Sequence, residues 1–182
     1  HPTRRSLPVY AALDYGGAVR RSILALKENG RTDTARFLAP ALAAAVAAAL
    51  DAGSRAGPSA TDAIEVATIP PSRTAWRRRG YDPVRLLARR VRPRPVRVLA
   101  VRRPTRRQKT LSADDRARNQ QGTMRATRRL DGRRFVIVDD VMTTGSTLTE
   151  AARAIEAAGG SVLAGACLAY TQLRGKHPRS TE

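Results

Sequence analysis

The stretch Arg134-Phe-Val-Ile-Val-Asp-Asp-Val-Met-Thr-Thr-Gly-Ser-Thr147 decides the fold. It opens on four apolar residues, Phe135 to Val138, three of them β-branched. A short unbroken apolar run of this kind predicts a strand buried on both faces of a parallel sheet. Asp139 and Asp140 follow at the carboxyl end of that strand, where open α/β sheets bind ligands. Thr143 to Thr147 is a small, hydroxyl-rich turn. Leu148 to Ala158 reads as an alanine-rich helix with Leu148 and Ile155 on its apolar side, and Gly159-Gly160 is its stop signal.

Each part of this stretch has a chemical use. A turn entering a helix presents free backbone N–H groups and the positive end of the helix dipole. Thr143, Thr144, Ser146 and Thr147 add hydroxyl donors, and Gly145 lets the backbone approach an anion closely. Together they suit one phosphate monoester. Asp139 and Asp140 cannot bind phosphate, but they can accept hydrogen bonds from vicinal sugar hydroxyls or hold Mg²⁺ at one remove. A sugar phosphate lying across the turn satisfies both halves. A P-loop is a poorer reading, because no Gly-Lys-Ser/Thr closes the turn.

The chain has 182 residues, enough for one domain with a real core. Only 4% of it is aromatic, so Ala, Val and Leu must do the packing. The formal charge of +19 comes almost entirely from arginine, and excess of this size attracts polyanions such as nucleic acid or pyrophosphate. The single Cys167 excludes an intramolecular disulfide and a multi-cysteine zinc site. It falls in the apolar run Val162 to Leu168 and reads as a buried packing residue. No signal peptide is legible at His1 to Ser6. The most apolar segment, Phe37 to Leu50, is shorter than the roughly 20 residues a membrane span needs. The expectation is a cytoplasmic protein with no membrane span.

Outward from the central stretch, strands alternate with helices. Val9 to Leu13 suits an edge strand, Ala18 to Lys27 a helix ended by Asn29-Gly30, and Thr32-Asp33-Thr34 the cap of a second helix reaching about Leu50, with Pro40 as a kink. Both helices read as plain scaffold. Ala52 to Ser59 reads as a loop. Ala63 to Ile69 reads as a strand running into a basic loop, Pro70 to Tyr81, where a cis X–Pro bond is inexpensive. There Pro71, Ser72 and Arg73 can hold a pyrophosphate through backbone N–H groups and one guanidinium. Asp82 and Pro83 suit a helix start. Pro95 to Val101 is the next strand. Arg102 to Gln121, basic at first and without apolar periodicity, reads as a mobile active-site lid with Ser112 capping a short helix. Thr123 to Thr127 is a weak strand, Val162 to Tyr170 the last. This order predicts an α/β fold with a mostly parallel sheet flanked by helices. The single domain divides into an N-terminal helical part at about 10–52, a ligand-binding core at about 60–170 and a polar tail at 173–182.

The central stretch resembles the phosphoribosyl-pyrophosphate (PRPP) motif of type I phosphoribosyltransferases. The resemblance implies that Asp139 and Asp140 take the ribose hydroxyls and that the loop Val141, Met142, Thr143, Thr144, Gly145, Ser146 and Thr147 takes the 5′-phosphate. Pro71, Ser72 and Arg73, with Arg107 and Lys109 of the lid, would face the pyrophosphate. Asp139, Asp140, Arg73 and Lys109 would carry catalysis, with Mg²⁺ near the acidic pair. A narrower resemblance, to the ComF-type competence proteins, rests on Ile69-Pro-Pro-Ser-Arg, Arg79-Gly-Tyr81 and the run Gln108-Lys-Thr-Leu-Ser112…Arg116-Ala-Arg-Asn119. It implies a role in DNA uptake. Members of that family usually begin with a four-cysteine zinc ribbon, yet no cysteine precedes Cys167, so zinc is not expected. Asp82-Pro83 stands where the family has Asn-Gln. Thr143 stands where hypoxanthine–guanine enzymes have a general-base Asp, which argues against that substrate class. Two functions stay open: a PRPP- and Mg²⁺-dependent phosphoribosyltransferase, or a non-catalytic DNA-associated module on the same fold. The expected partners are PRPP or another sugar phosphate, sequence-independent DNA including single strands, and a second copy in a homodimer.

Overall fold

A computed structural model describes residues 7–55, 63–102 and 122–171. Its centre is a four-stranded, wholly parallel sheet in the order β1 (Val9–Asp14), β6 (Ser161–Tyr170), β5 (Arg134–Met142), β2 (Ile64–Thr68). β5 sits inside, and the two faces of the sheet divide its apolar run by the strand's period of two. Val136 and Val138 pack into a layer with Ile23, Leu42, Val46, Leu87 and Leu168. Phe135 and Ile137 pack into the opposite layer with Leu130, Leu148 and Ile155. The unbroken apolar run is therefore explained by burial on both faces.

Helices α1 (Gly17–Glu28), α2 (Ala35–Arg55) and α4 (Pro83–Leu87) cover the first face. Helix α5 (Ser146–Glu156) and a two-stranded antiparallel sheet, β3 (Leu99–Val101) with β4 (Met124–Ala126), cover the second. A single parallel bridge, Ala67 to Val96, ties the chain before β3 to the edge of β2. The fold is the α/β, mostly parallel arrangement the sequence predicts.

Four local differences have physical causes. α2 runs five residues past Leu50, because Gly53 lets the helix lie on the sheet: a Cβ there would stand 3.0 Å from the Leu163 side chain. With the 3₁₀ turn Thr32–Thr34 before it, the helical segment reaches 24 residues and holds an 18-residue window of mean hydropathy 1.6, long and apolar enough to cross a membrane by length and composition. That corrects the expectation from length; in this fold Leu38, Leu42, Ala45, Val46 and Ala49 spend its apolar face on the core. The basic segment after β2 is a helix rather than a loop, α3 (Arg73–Arg79), capped by Ser72 and closed by Gly80 at φ +74°. The strand expected at Pro95 to Val101 shrinks to Leu99–Val101 and pairs with β4 rather than joining the parallel sheet. Finally, the cis peptide among the described residues is Arg92–Pro93, not one in the Pro70-Pro71 segment.

Candidate functional site

β5 delivers its two carboxylates side by side, and it does so while still a strand: Asp139 and Asp140 lie within β5 rather than after it. The backbone N–H of Asp140 donates to Asp139 Oδ1 at 2.8 Å. Asp140 is only 8% exposed, and its partner comes from the far end of the chain: Lys27 Nζ donates to Asp140 Oδ1 at 2.7 Å. Helix α1 is therefore more than scaffold. Its last turn carries the cation that balances the acidic pair.

The Arg79-Gly-Tyr81 signature explains how Lys27 is held there. The Tyr81 hydroxyl donates to the carbonyl of Leu26, and the guanidiniums of Arg78 and Arg79 both donate to Glu28 Oε1 at 3.1 Å. Three residues of one short segment grip the end of α1 on either side of Lys27. Asp82 follows directly. Its Oδ1 accepts from the N–H of Arg85 at 3.2 Å and caps α4, as expected, but the carboxylate also joins the acidic group. Burial pushes Asp82 up to about 6; Arg97 opposes that shift and the charge of Asp140 adds to it. Burial likewise pushes Asp139 up to about 7, with Asp140 beside it as the second cause and Lys27 working against both.

The turn beyond β5 has the geometry expected of it. Gly145 sits at φ +75°, a left-handed conformation that glycine adopts without strain, and it serves as N-cap of α5 with no side-chain cap. The first N–H groups of an α-helix lack partners within the helix and so are available to an anion. Thr144 Oγ1 and Ser146 Oγ lie 2.9 Å apart, pre-arranging two hydroxyls at the mouth. Thr143 and Thr144 are exposed, while Gly145, Ser146 and Thr147 are half-buried. Val141 and Met142 are half-buried too, and the carbonyl of Met142 is used by the N–H of Thr171.

The remaining expected residues divide. Pro71 and Arg73 line a cavity of about 340 Å³ together with Trp76, Asp82, Arg85 and Arg97. Ser72 is beside it, but its hydroxyl oxygen accepts from the Ala75 N–H at 3.1 Å, so capping α3 competes with any grip on a ligand. Arg107 and Lys109, and the Arg102 to Gln121 lid reading apart from Arg102 itself, lie outside the described residues. Cys167 is fully buried, and burial pushes its thiol up to about 11, so it is an inert packing residue. Among the described residues no three metal-ligating side chains come together. Asp139 and Asp140 nevertheless suit Mg²⁺, which keeps several waters and is commonly held by one or two carboxylates plus substrate phosphates.

The family model of the phosphoribosyl transferase domain matches residues 75–182, which contain β5, the turn and α5. The chain belongs to the phosphoribosyl transferase domain family. Membership supports a phosphoribosyl-transfer type of function and a substrate of the PRPP or sugar-phosphate type. No curated protein matches the chain. The matched span starts inside α3, so Lys27 lies outside it and belongs to the part of the site that the family pattern does not describe. Sequence reading missed Lys27 and the second role of Asp82. The signals for Lys27 were its rarity, as one of three lysines among 34 basic residues, and the weaker fit of Tyr15 and Leu26-Lys27 to the N-terminal part of the ComF-type resemblance.

Raised carboxylate pKa values give a pH prediction. A ribose hydroxyl donates best to an ionised carboxylate, so sugar-phosphate binding needs Asp139 deprotonated. Affinity for ribose 5-phosphate should rise between pH 6 and 8. Below the folded pKa it should fall by up to about tenfold per pH unit, the limit for one linked proton. Stability runs the other way. A group whose folded pKa is raised stabilises below its unfolded value and loses that contribution as pH climbs through the folded one. The ligand-free protein should therefore lose stability between about pH 4 and 7 on account of Asp82 and Asp139. Calorimetric titration and thermal melts across that range check both signs.

Proposed function

We propose that the chain is a ComF-type member of the phosphoribosyl transferase family that binds PRPP with Mg²⁺ and transfers or recognises its phosphoribosyl group with release of pyrophosphate. The single observation that supports this most is the acidic pair at the end of β5, joined directly to a glycine turn at the N-terminus of α5. In this reading Thr143 to Thr147 and the first N–H groups of α5 hold the 5′-phosphate. Asp139 and Asp140 accept from the two ribose hydroxyls, and Lys27 holds the Asp140 side chain in place while they do so. Mg²⁺, when bound with PRPP, would neutralise pyrophosphate oxygens. Pro71, Ser72, Arg73, Arg107 and Lys109 would face those oxygens from the other side. Catalysis, with Arg73 and Lys109 in attendance, would come from positioning and from neutralising the leaving group. The protein would work in the cytoplasm, in a process of DNA uptake, as a monomer or homodimer. Calorimetry of PRPP with and without Mg²⁺ tests the binding, with Mg²⁺ expected to strengthen it. No PRPP binding in either condition would overturn the reading.

A second reading, a DNA-associated module on the same fold, draws on a different surface. Arg102, Arg125, Arg128 and Arg129 line a cavity of about 410 Å³ beside the second half of α5. Arg129 is paired with Asp131, but Arg102 and Arg128 make no ion pair among the described residues. Contacts here would be to phosphates, since neither the chain's motifs nor this surface reads bases. Binding to single-stranded DNA should weaken with salt with a slope near −0.7 per phosphate contact, and equally for two unrelated sequences. Fluorescence anisotropy over a salt series checks this, and pyrophosphate release with a panel of acceptors separates enzyme from module.

A further inference from the structure

A second basic cavity lies against the one beside α3, and the sugar-phosphate reading gives it no use. It measures about 330 Å³ and is lined by Thr68, Arg85, Ala88, Arg89, Arg94 and Pro95. Thr68 and Arg85 line the cavity beside α3 as well, so the two share a wall. Local sequence builds it. Arg85 on α4 and Arg89 in the 3₁₀ turn Ala88–Arg90 that continues it stand four residues apart, which brings them to one side of the helical segment. Arg94 comes from the segment that returns to bridge Val96 to Ala67 at the edge of β2. Thr68 ends β2. By the alternation of a strand it is on the face of Val66, which packs in the layer of Val84 and Leu87 from α4.

The polar groups of this cavity lack partners. Arg85, Arg89 and Arg94 are exposed, and none forms a hydrogen bond or ion pair through its side chain among the described residues. Arg92, between them in sequence, differs: it donates to the carbonyls of Arg89 and Val91. No acidic residue occurs from Pro83 to Arg102, and no carboxylate lines this cavity, whereas Asp82 stands in the wall of the first. Thr68 is only 5% exposed, and its hydroxyl has no hydrogen-bond partner among the described residues. A buried polar group left unpaired is costly, and like charges at this spacing repel. A bound anion relieves both. No aromatic ring lines the cavity, so nothing there stacks on a base. A phosphodiester strand spreads single charges along its length and brings few of them to a cavity of this size. A diphosphate puts two phosphoryl groups where three guanidiniums and a hydroxyl meet, and guanidinium pairs well with phosphoryl oxygens. We propose that this cavity is a second diphosphate site, to which the shared Arg85 passes the pyrophosphate released from the cavity beside α3. The source of the ligand rests on the PRPP reading above.

Calorimetric titration of the full chain with pyrophosphate, in the absence of Mg²⁺, should show two binding events. The double substitution Arg89→Gln with Arg94→Gln should weaken one of them by about tenfold or more, the effect of losing charge-assisted hydrogen bonds. It should leave the other event, the affinity for ribose 5-phosphate and the Tm of the ligand-free protein unchanged, because neither side chain has a partner to lose. Arg85→Gln should weaken both events, since both cavities use it. A single event in the wild type, or equal weakening of both in the double variant, would overturn the proposal. So would displacement of the second pyrophosphate by sulfate, or by single-stranded DNA, at the same concentration of anionic groups, which would mark a surface open to any anion. Ribose 5-phosphate, titrated separately, keeps the two readings apart. If it binds and the second pyrophosphate event is missing, this inference falls alone. If both events appear but neither ribose 5-phosphate nor PRPP binds, the passage of product falls with the PRPP reading.

Discussion

Asp140→Asn should weaken ribose 5-phosphate and PRPP binding by about ten- to a hundredfold, because hydrogen bonds to a charged group are worth about 1.5–3 kcal/mol. The fold should survive it. Removing one partner of a buried ion pair is usually costly, since it strands the other charge. Here two effects soften that cost. The asparagine oxygen can still accept from Lys27 Nζ, which now stands 2.7 Å from Asp140 Oδ1. Asp140 also sits against two other carboxylates whose ionisation it opposes. The substitution leaves Lys27 with the charge of Asp139 beside it. Stability should change by no more than about 1 kcal/mol, the worth of an ordinary hydrogen bond. A second measurement separates charge from shape. Asp139 should return toward the usual carboxylate range once Asp140 is neutral, so the variant's residual binding should depend less on pH between 6 and 8. Calorimetry on wild type and variant at three pH values checks both. Unchanged affinity at pH 8 would remove ribose recognition from the acidic pair.

Lys27→Met should also weaken binding, by a smaller factor, but with the opposite effect on its pH dependence. It keeps both carboxylates but removes the positive charge that works against the raised pKa of Asp139, which favours protonation of that residue. Binding should weaken severalfold at neutral pH and recover as pH rises, a pattern that loss of packing alone would not produce.

The central strand, the turn and the helix after it were legible because local sequence determines them. An apolar run of strand length, two acids, a glycine that must take positive φ and an alanine-rich helix need no distant partner to be recognised. What escaped sequence reading depends on contacts between remote positions. Lys27 meets Asp140 across 113 residues, and nothing in the pattern of α1 marks its last turn as part of a site. The basic segment from Arg73 to Arg79 looked like a loop because seven residues rich in arginine make a marginal helix on their own. It is stabilised by the Ser72 cap, the left-handed Gly80 and the grip of Arg78 and Arg79 on Glu28, and the last of these is visible only in three dimensions. Pro95 to Val101 has strand composition, but composition does not say which sheet a strand joins. Asp82 was legible as a cap from its place before Pro83, yet its second role arises only from the action of its charge on Asp139 of β5, remote in sequence.

Glu150 is the other residue whose importance the helical pattern concealed, and its removal should have the largest effect on stability. In α5 it occupies a position on the sheet side, 3% exposed, where the apolar stripe would call for a hydrophobe. Its carboxylate accepts from the backbone N–H of Met124 at 2.9 Å and from two nitrogens of Arg153 at 2.7 and 2.8 Å. Arg153 then returns to β4 by donating to the carbonyl of Met124 at 3.0 Å. One acid and one arginine thus satisfy both backbone groups of Met124 and pin the short β3–β4 sheet to the helix that carries the phosphate turn. Glu150→Ala leaves a buried N–H and a guanidinium without their acceptor. Arg153 is 37% exposed and can turn to solvent, so the cost is that of the unsatisfied buried N–H, about 1–3 kcal/mol. For a chain of this size that corresponds to a drop of roughly 2–12 °C in Tm. Glu150→Gln should cost less, since it keeps the bond to Met124. The pH dependence follows from the same contacts. Burial works to raise the carboxyl, but the bonds from Arg153 and Met124 outweigh it and hold the group below its ordinary value. A carboxylate depressed in this way stabilises above its unfolded pKa and loses that contribution as pH falls through the folded one. The wild type should lose this stabilisation on acidification below about pH 4.5, while Glu150→Ala, with nothing left to lose, should melt with a flatter acid limb. Thermal melts of both proteins from pH 3 to 7 decide it, and parallel acid limbs would show that Glu150 is not the anchor between α5 and β4.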